Sequence, residues 1–513
     1  ARTGGAAPGM ATRVSVGTHA RTWVRWLRDP GQRLSQRTVH AVFWASAMRL
    51  GLRSSTLVKT VVLARLLAPG DFGLMGIAIL MASLMENFTL TGFDKALIQR
   101  KGDIRPYLDT AWTVEALRGL GTCALLVAAA PLIGAFFGEP RAVLVVQVMG
   151  VTLLLRGLAN IGIVFFQREL ELHRRFTLQM LETVADVAVA MALAVVLRDV
   201  WALVYGALAG SAVRVVGSFA LHPFRPRPRL AWGKARELFA FGKWVLGSSS
   251  LLYLLESLDR LVVGKLLGAA SLGLYQLAWK LSQFTGKELM SLGRLVAFPA
   301  YAKLQEQRSK LGGVYLEGVS LVGLVSLPLA AGMLVLSPYA VPPVLGEQWA
   351  PMVPALQALA VVGLVESLNA GTPFLFEALG QPQVTTKLYL GRLFLMAVLL
   401  YPLTAQLGLL GSALAVAGGT LAMYPIGLRL ALRAVGLPAG ALLRALGVPL
   451  VGTLAMAGVV AVAARALPAA PNVGHVAGLV ALGCLAYLAA VVALDHLSGR
   501  RIRRTLRRRF AIG

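Results

Sequence analysis

Residues 63–78 read LARLLAPGDFGLMGIA and decide the fold, because they join two apolar helices through a tight polar turn. The same device returns 200 positions later, where residues 263–278 read VGKLLGAASLGLYQLA. In the ungapped alignment Arg65 meets Lys265, and five residues are identical to their counterparts: Leu66, Leu67, Gly73, Leu74 and Ala78. A repeat this long exceeds any solenoid unit and predicts two homologous halves, the plan of many secondary transporters.

The composition indicates a membrane protein. The chain of 513 residues is 57% hydrophobic and 14% charged, whereas soluble domains carry roughly a quarter charged residues. Its mean hydropathy is +0.71. Apolar runs of about 20 residues, enough to cross a bilayer as a helix, recur along the chain. We therefore predict an all-α polytopic membrane protein with about fourteen transmembrane helices between residues 39 and 497.

The distribution of charge predicts the topology. The net charge of +27 raises the question of a nucleic-acid partner, but the basic residues cluster at both termini and in alternate short loops. That pattern follows the positive-inside rule and places both termini in the cytoplasm, with no role for nucleic acid. Few basic residues fall on the opposite side: Arg65, Arg141, Arg198, Lys265 and Arg465.

These features divide the chain into segments. Prolines in residues 222–229 resist helix formation and mark a linker between the halves. The predicted segments are a basic cytoplasmic N-terminal segment (1–38), an N-terminal six-helix lobe (39–222), a cytoplasmic linker (223–239), a C-terminal six-helix lobe (240–434), two extra helices (435–497) and a basic cytoplasmic tail (498–513).

Basic residues within the predicted spans are the first functional candidates. A cation at bilayer depth costs about 2.5–3.5 kcal/mol on insertion scales, so it commonly faces water or a partner. Arg49 and Arg53 lie one turn apart, and Lys59 follows on the same helix. We predict a cationic cavity between the halves that receives a phosphate or diphosphate. Its other candidate residues are Arg118, Arg214, Arg260, Lys280 and Lys287. Internal ion pairs, such as Glu256 with Arg260, are the alternative.

Acidic residues in the spans are candidates for ion coupling. Glu182 and Asp186 lie at i, i+4 on one helix, so at least one of them should hold a proton or pair with a cation. The pair therefore suggests coupling to H⁺ or Na⁺, with pairing to Arg118, Arg156 or Arg214 as the alternative. Glu256 and Asp259 are the corresponding candidates in the second half.

Signatures of an enzyme are missing from the sequence. It has no Gly-rich phosphate loop ending in GK[ST], no HExxH and no nucleophile motif. Cys123 and Cys484 are too far apart in sequence to indicate a metal or disulfide framework. We expect no catalytic residue, no metal and no cofactor beyond a coupling ion.

Several motifs carry a family resemblance. Residues 63–78 followed by ALIQRK at 96–101, WALVYG at 201–206 and LGEQWAPMVPALQALA at 345–360 resemble the bacterial polysaccharide-synthesis transporter family. The resemblance covers about residues 39–434. It implies a multidrug-and-toxin-extrusion-like fold, with two six-helix bundles in a V around a central cavity and alternating access.

The same resemblance implies a function. Members of the family are taken to be flippases that move an undecaprenyl-diphosphate-linked oligosaccharide from the cytoplasmic to the outer leaflet of the bacterial inner membrane. They serve O-antigen, capsule or exopolysaccharide synthesis, beside a polysaccharide polymerase and glycosyltransferases. The resemblance carries Arg49, Arg53 and Arg260 over by their position within helices only.

Other functions stay open at this point. A cation-coupled exporter of drugs or metabolites would share the fold, but its cavity should be lined by carboxylates with few arginines. A structural subunit of a polysaccharide synthase would not need buried Arg49 and Arg53. Flipping of a peptidoglycan lipid is a sister possibility that the motifs favour less.

Overall fold

The chain is described by a computed structural model over residues 54–169, 171–283, 300–466 and 471–497, with isolated positions at 51, 297 and 468. These residues form helices and no strands. Eleven of the helices in this part of the chain are long and apolar enough to cross a membrane. An all-α polytopic membrane protein is therefore confirmed, while the number fourteen stays a prediction. The predicted terminal segments, 1–38 and 498–513, lie outside the described residues.

Proline marks the start of three long helices in the first half. Pro69, Pro106 and Pro140 lie at the first or second position of their helices, where the missing N–H has no intrahelical partner to lose. The helices are α1 (54–66), α2 (Pro69–Phe88), α3 (Phe93–Gln99), α4 (Arg105–Phe137), α5 (Pro140–Leu158), α6 (Val164–Arg168), α7 (Leu172–Leu197) and α8 (Trp201–Leu221).

The second half contains two very long helices that each fold back at a glycine. Gly268 (φ 80°) and Gly408 (φ 58°) adopt positive φ angles, which only glycine takes readily, and each divides its helix into two arms. Thr404 and Ser412 hydrogen-bond at 2.8 Å across the second fold. The helices are α9 (Trp232–Ser282), α10 (Arg308–Leu345), α11 (Val353–Leu368), α12 (Thr372–Ala378) and α13 (Pro382–Ala434).

The two repeated stretches pack against each other. A Cβ atom on Gly73 would overlap the carbonyl of Ala269, and one on Gly273 would overlap the carbonyl of Pro69. At an offset of 200 residues these two contacts are the same contact made in opposite directions, as at a two-fold interface. The first turn and its repeat therefore lie side by side at one end of the bundle, which we call the turn end.

The opposite end, which we call the basic end, carries the loops rich in Lys and Arg.

At the turn end, the short segment Glu347–Met352 that follows α10 closes over α1. The indole of Trp349 is fully buried, and its Nε1 donates a hydrogen bond of 2.8 Å to the carbonyl of Ala64. One apolar core continues through this region and includes Leu63 and Leu67 from the first half with Leu272 and Tyr275 from the second.

The linker between the halves lies along the first half. The structure leaves it extended between Leu221 and Trp232, so residues 232–239 of the predicted linker already belong to α9. The backbone amide of Arg227 donates to Asp109 at 2.9 Å, and that of Arg229 donates to Thr113 at 3.0 Å. Beyond the linker, Glu237 on α9 pairs with Arg100 at 2.5 Å, which lowers the pKa of that carboxyl group.

Two further helices follow the second half. They are α14 (Ala439–Arg465) and α15 (Val473–Leu497), within the segment predicted at 435–497. Tyr487 on α15 donates a hydrogen bond of 2.7 Å to the carbonyl of Leu324 on α10, and Ser320 of α10 donates to the carbonyl of Ala445 on α14 at 2.8 Å. The extra helices are thus attached to the second half through α10.

Candidate functional site

A cavity of about 510 Å³ lies between the two halves. Its walls come from α1, α2, α5, α7 and α8 of the first half and from the second arm of α9. The contribution from the second half includes Gln276, Leu277 and Lys280. Gly76 of α2 and Gln276, its repeat counterpart, approach each other closely there, since a Cβ on Gly76 would meet the Gln276 amide group. The cavity is therefore lined mainly by the first half, with one wall from the second half, and its role as the predicted substrate cavity stays a prediction.

Two ion pairs lie in the cavity wall and involve both acids of the i, i+4 pair. Lys59 Nζ lies 2.6 Å from Asp186 Oδ1, and Arg214 Nη1 lies 3.0 Å from Glu182 Oε2. Each carboxylate thus has its own cation on a neighbouring helix, which relieves the like-charge contact along α7. For this pair the structure shows the ion-pairing alternative that the sequence left open, with Lys59 as a partner that the sequence did not indicate.

The cavity has an excess of basic side chains. Four basic and two acidic side chains line its described part. Beside Lys59 and Arg214, Arg156 pairs with Glu86 at 2.9 Å, and Lys280 Nζ donates a hydrogen bond of 2.7 Å to the hydroxyl of Thr60. Because Lys280 comes from the second half and Thr60 from the first, this contact crosses the boundary between the lobes.

Three of the predicted cations lie outside the described residues, namely Arg49, Arg53 and Lys287. Two others do not line the cavity. Arg118 pairs with Glu115 on its own helix at 2.8 Å. Arg260 lies 3.8 Å from Asp259 and 5.9 Å from the ring of Trp279. Arg118 and Arg260 were predicted to line the cavity because the sequence indicates how deep a residue lies in the bilayer. The sequence does not indicate which face of the helix a residue occupies, and on its own face each of these arginines has an acid nearby.

The second half has a polar cluster of its own. Asp259 is buried (2% exposed) and accepts a hydrogen bond of 2.9 Å from the hydroxyl of Tyr275. Glu366 of α11 pairs with Arg392 of α13 at 2.7 Å. Arg392 lies ten residues inside α13. Neither Glu256 nor Asp259 is among the residues that line the cavity between the halves.

Three of the lining residues that sequence reasoning missed contact or carry polar groups important to the site: Arg156, Thr60 and Gln276. Arg156 falls near the end of a predicted span, where a long side chain commonly reaches for the interface. Thr60 and Gln276 are uncharged and carry no signal of depth. The repeat alignment did contain a signal for Gln276, because a polar residue there replaces the glycine at position 76.

The arrangement fits a transport protein. Nothing in the described residues groups three or more His, Cys, Asp or Glu side chains around a metal position. A cavity at bilayer depth that holds charged residues from both halves can bind a charged group and change its access when the halves move. The fold and the cavity together therefore define a two-lobed membrane transporter.

Comparisons with known proteins identify the family. A family model described as polysaccharide biosynthesis protein matches residues 62–354. The chain is 28% identical to the lipopolysaccharide biosynthesis protein WzxC of Escherichia coli over 71% of this chain and 74% of that one. It is 22% identical to the succinoglycan biosynthesis transport protein ExoT of Rhizobium meliloti over 67% and 69% of the two chains.

Solved structures show the same fold. The lipid II flippase MurJ, in an inward closed conformation, superposes with a TM-score of 0.69 at 13% identity, over 88% of this chain and 98% of that one. An inward-facing multidrug MATE transporter superposes with a TM-score of 0.58 at 15% identity, over 74% and 94%. The chain belongs to the polysaccharide biosynthesis protein family, and it is a multi-pass membrane transporter rather than an enzyme.

Proposed function

We propose that the protein is a flippase for an undecaprenyl-diphosphate-linked oligosaccharide, which it moves from the cytoplasmic to the outer leaflet by alternating access. It would act in the bacterial inner membrane with both termini in the cytoplasm and would serve O-antigen, capsule or exopolysaccharide synthesis. A polymerase and glycosyltransferases are its expected partners. The names of WzxC and ExoT support a role in polysaccharide synthesis, and the MurJ fold supports lipid flipping.

The observation that carries this proposal is the basic excess of the cavity between the halves. A diphosphate needs cations at bilayer depth, the glycan needs a polar lumen, and the polyprenyl chain can stay in the lipid. Arginine suits phosphate because it forms bidentate, charge-assisted hydrogen bonds, whereas lysine acts as a point charge. Lys59, Arg214 and Lys280 are the described residues that we assign to the diphosphate.

The two ion pairs suggest how binding is coupled to an ion. Asp186 and Glu182 hold Lys59 and Arg214 at 2.6 and 3.0 Å. Protonation of either acid would release its cation to a phosphate, so entry of a proton would favour loading of the substrate. Glu256 and Asp259 stay secondary candidates for ion coupling. Both lie on the first arm of α9, and neither lines the cavity between the halves.

The two alternatives are less well supported. An exporter of cationic drugs should have an acidic cavity, whereas basic side chains outnumber acidic ones in the described lining. A structural subunit would have no need of charges between its halves, each of which is costly at bilayer depth.

The test is complementation of a flippase-null strain by cavity variants at matched membrane abundance. Arg49 and Arg53, together with Lys280, are the residues to change. Arg→Lys at 49 or 53 should impair surface polysaccharide partly, Arg→Ala more severely and Arg→Glu completely, because charge and bidentate geometry are lost in turn. Lys280→Gln should impair it as well. Full complementation by the Arg49→Ala, Arg53→Ala double variant would show that the substrate site lies elsewhere.

A further inference from the structure

A second cavity in the described part of the chain is larger than the one between the halves and has no part in the proposed transport. It is a groove of about 960 Å³ between α10 and α14, at the upper end of volumes typical of ligand sites. None of its lining residues lines the cavity between the halves. One wall belongs to α14, an added helix beyond residues 62–354, which the family model matches.

The groove is basic at one rim and apolar along its length. Lys310 and Arg444 lie within the first two turns of α10 and α14, both at the basic end of the bundle. The positive ends of two helix dipoles add to their charge. Deeper in the groove the wall consists largely of apolar side chains, including Leu321, Leu324 and Val448.

The length of the groove matches one leaflet. From Lys310 to Leu324 an α-helix rises about 21 Å at 1.5 Å per residue. One leaflet contributes about 15 Å of the hydrocarbon core. A molecule whose phosphate sits at Lys310 and Arg444 would therefore have its chain in the groove as far as the bilayer centre.

Glycine keeps the groove open. A Cβ atom on Gly313 of α10 or on Gly447 of α14 would meet no atom within 4 Å. Both residues line the groove, so larger side chains there would project into its space. The carboxylate of Glu317 lies in the same wall, seven residues beyond Lys310, which confines a phosphate to the rim.

From this geometry we propose that the groove is a binding site for an anionic phospholipid of the leaflet at the basic end. The headgroup phosphate binds Lys310 and Arg444, and one acyl chain lies against Leu321, Leu324 and Val448. Basic pockets between transmembrane helices on the cytoplasmic side are known to bind anionic headgroups. The lipid site is separate from the proposed substrate site. A lipid bound there would make transport depend on the lipid composition of the membrane without contacting the substrate.

The test is lipid retention by the full chain, measured by native mass spectrometry after extraction from vesicles of equal phosphatidylglycerol and phosphatidylcholine. We expect wild-type protein to retain phosphatidylglycerol selectively. A basic residue near an anionic surface strengthens binding about fivefold, so the Lys310→Gln, Arg444→Gln double variant should bind phosphatidylglycerol about 25-fold more weakly. Gly447→Leu should reduce retention with both charges intact, and Arg433→Gln, an exposed cation at the same end outside the groove, should not.

Three outcomes would overturn the proposal: equal retention of the two phospholipids, unchanged retention in the double variant, or unchanged retention in Gly447→Leu. If polyprenyl diphosphate added to the vesicles displaces phosphatidylglycerol from the wild type but not from Gly447→Leu, the groove is a site for the substrate chain instead. None of these results depends on transport, so the proposed function could fail or hold independently.

Discussion

Arg65 and Lys265, which lie 200 residues apart in sequence, make equivalent contacts across the lobe boundary in opposite directions. Arg65 of α1 donates through Nε to the carbonyl of Val344 at 2.8 Å and also to that of Pro343, at the end of α10. Lys265 of α9 donates to the carbonyl of Phe136 at 2.6 Å, at the end of α4. Each cation therefore caps the C-terminal end of a helix of the other half, where free carbonyls favour positive charge.

This relationship predicts that Arg65 and Lys265 hold the turn end closed. Replacing either by Gln should shift the population toward a more open turn end, by about fivefold for one charged hydrogen bond worth about 1 kcal/mol at an exposed site. Spin labels at positions 139 and 347 would report the opening as a longer distance by pulsed electron resonance. Arg141→Gln is the control, because Arg141 pairs with Asp199 and Asp71 within the first half. An unchanged distance in the Arg65→Gln, Lys265→Gln double variant would contradict this role.

A second prediction concerns the close contact of the two repeats. Gly73→Val or Gly273→Val should separate the helices or strain them at a cost of about 1–3 kcal/mol, the usual range for overpacking. Thermal unfolding in detergent should show a lower Tm for both. Gly70→Val is the matched control, because a Cβ there meets no atom within 4 Å. Equal Tm values for the Gly73 and Gly70 variants would mean that the repeats can separate without cost.

A third prediction tests coupling through the ion pairs of the cavity. Glu182→Gln with Asp186→Asn removes both acids of the described cavity lining and leaves Arg214 and Lys59 without their carboxylates. Transport in proteoliposomes should then depend less on an imposed proton or sodium gradient, while substrate binding is retained. Glu115→Gln, which removes an acid outside the cavity lining, is the control. Unchanged gradient dependence in the double variant would reduce the pair to a structural role.

A fourth prediction concerns the linker and pH. His222, at the end of α8, accepts a hydrogen bond of 3.2 Å from the backbone amide of Phe224 and stacks on Phe165. Burial lowers the pKa of His222 below its usual 6.5, and the charge of nearby Arg174 acts in the same direction. A lowered histidine pKa means that the docked linker is most stable above about pH 6.5 and loses stability as the pH falls.

Hydrogen exchange of residues 222–231 measures this effect. After correction for the intrinsic rate, protection should be weaker at pH 5.5 than at pH 7.5 in the wild type and should change less in His222→Gln. Equal changes in the two proteins would assign the pH response to another group.

The sequence allowed much of the fold to be predicted, because its main signals are local. Apolar runs give the spans, and the identity of residues 66–67 and 73–74 with their counterparts gives the repeat. The sharp turn at Gly268 lies within residues 263–278, the repeated device that predicts two helices joined by a tight turn. The start of α9 at Trp232 could not be predicted from the sequence, because a helix at the membrane surface carries no long apolar run.

The site was less predictable, because bilayer depth can be read from sequence but helix rotation cannot. Lys59, Arg214 and Lys280 do line the cavity, whereas Arg118 finds Glu115 three residues earlier on its own helix. The partners of Glu182 and Asp186 come from helices that are distant in sequence. Only the packing of α7 against α1 and α8 decides which cation each acid meets.

The most direct test of the cavity is translocation of a fluorescent undecaprenyl-diphosphate-linked oligosaccharide in proteoliposomes, read as protection from a membrane-impermeant quencher. The wild type is compared with the Lys59→Gln, Lys280→Gln double variant and with Arg433→Gln, which changes an exposed cation elsewhere. Loss of two charged contacts to the diphosphate should slow translocation at least tenfold, and Arg433→Gln should match the wild type. A Lys59→Gln, Lys280→Gln variant that flips the lipid at the wild-type rate, at equal incorporation, would contradict the claim that this cavity carries the substrate.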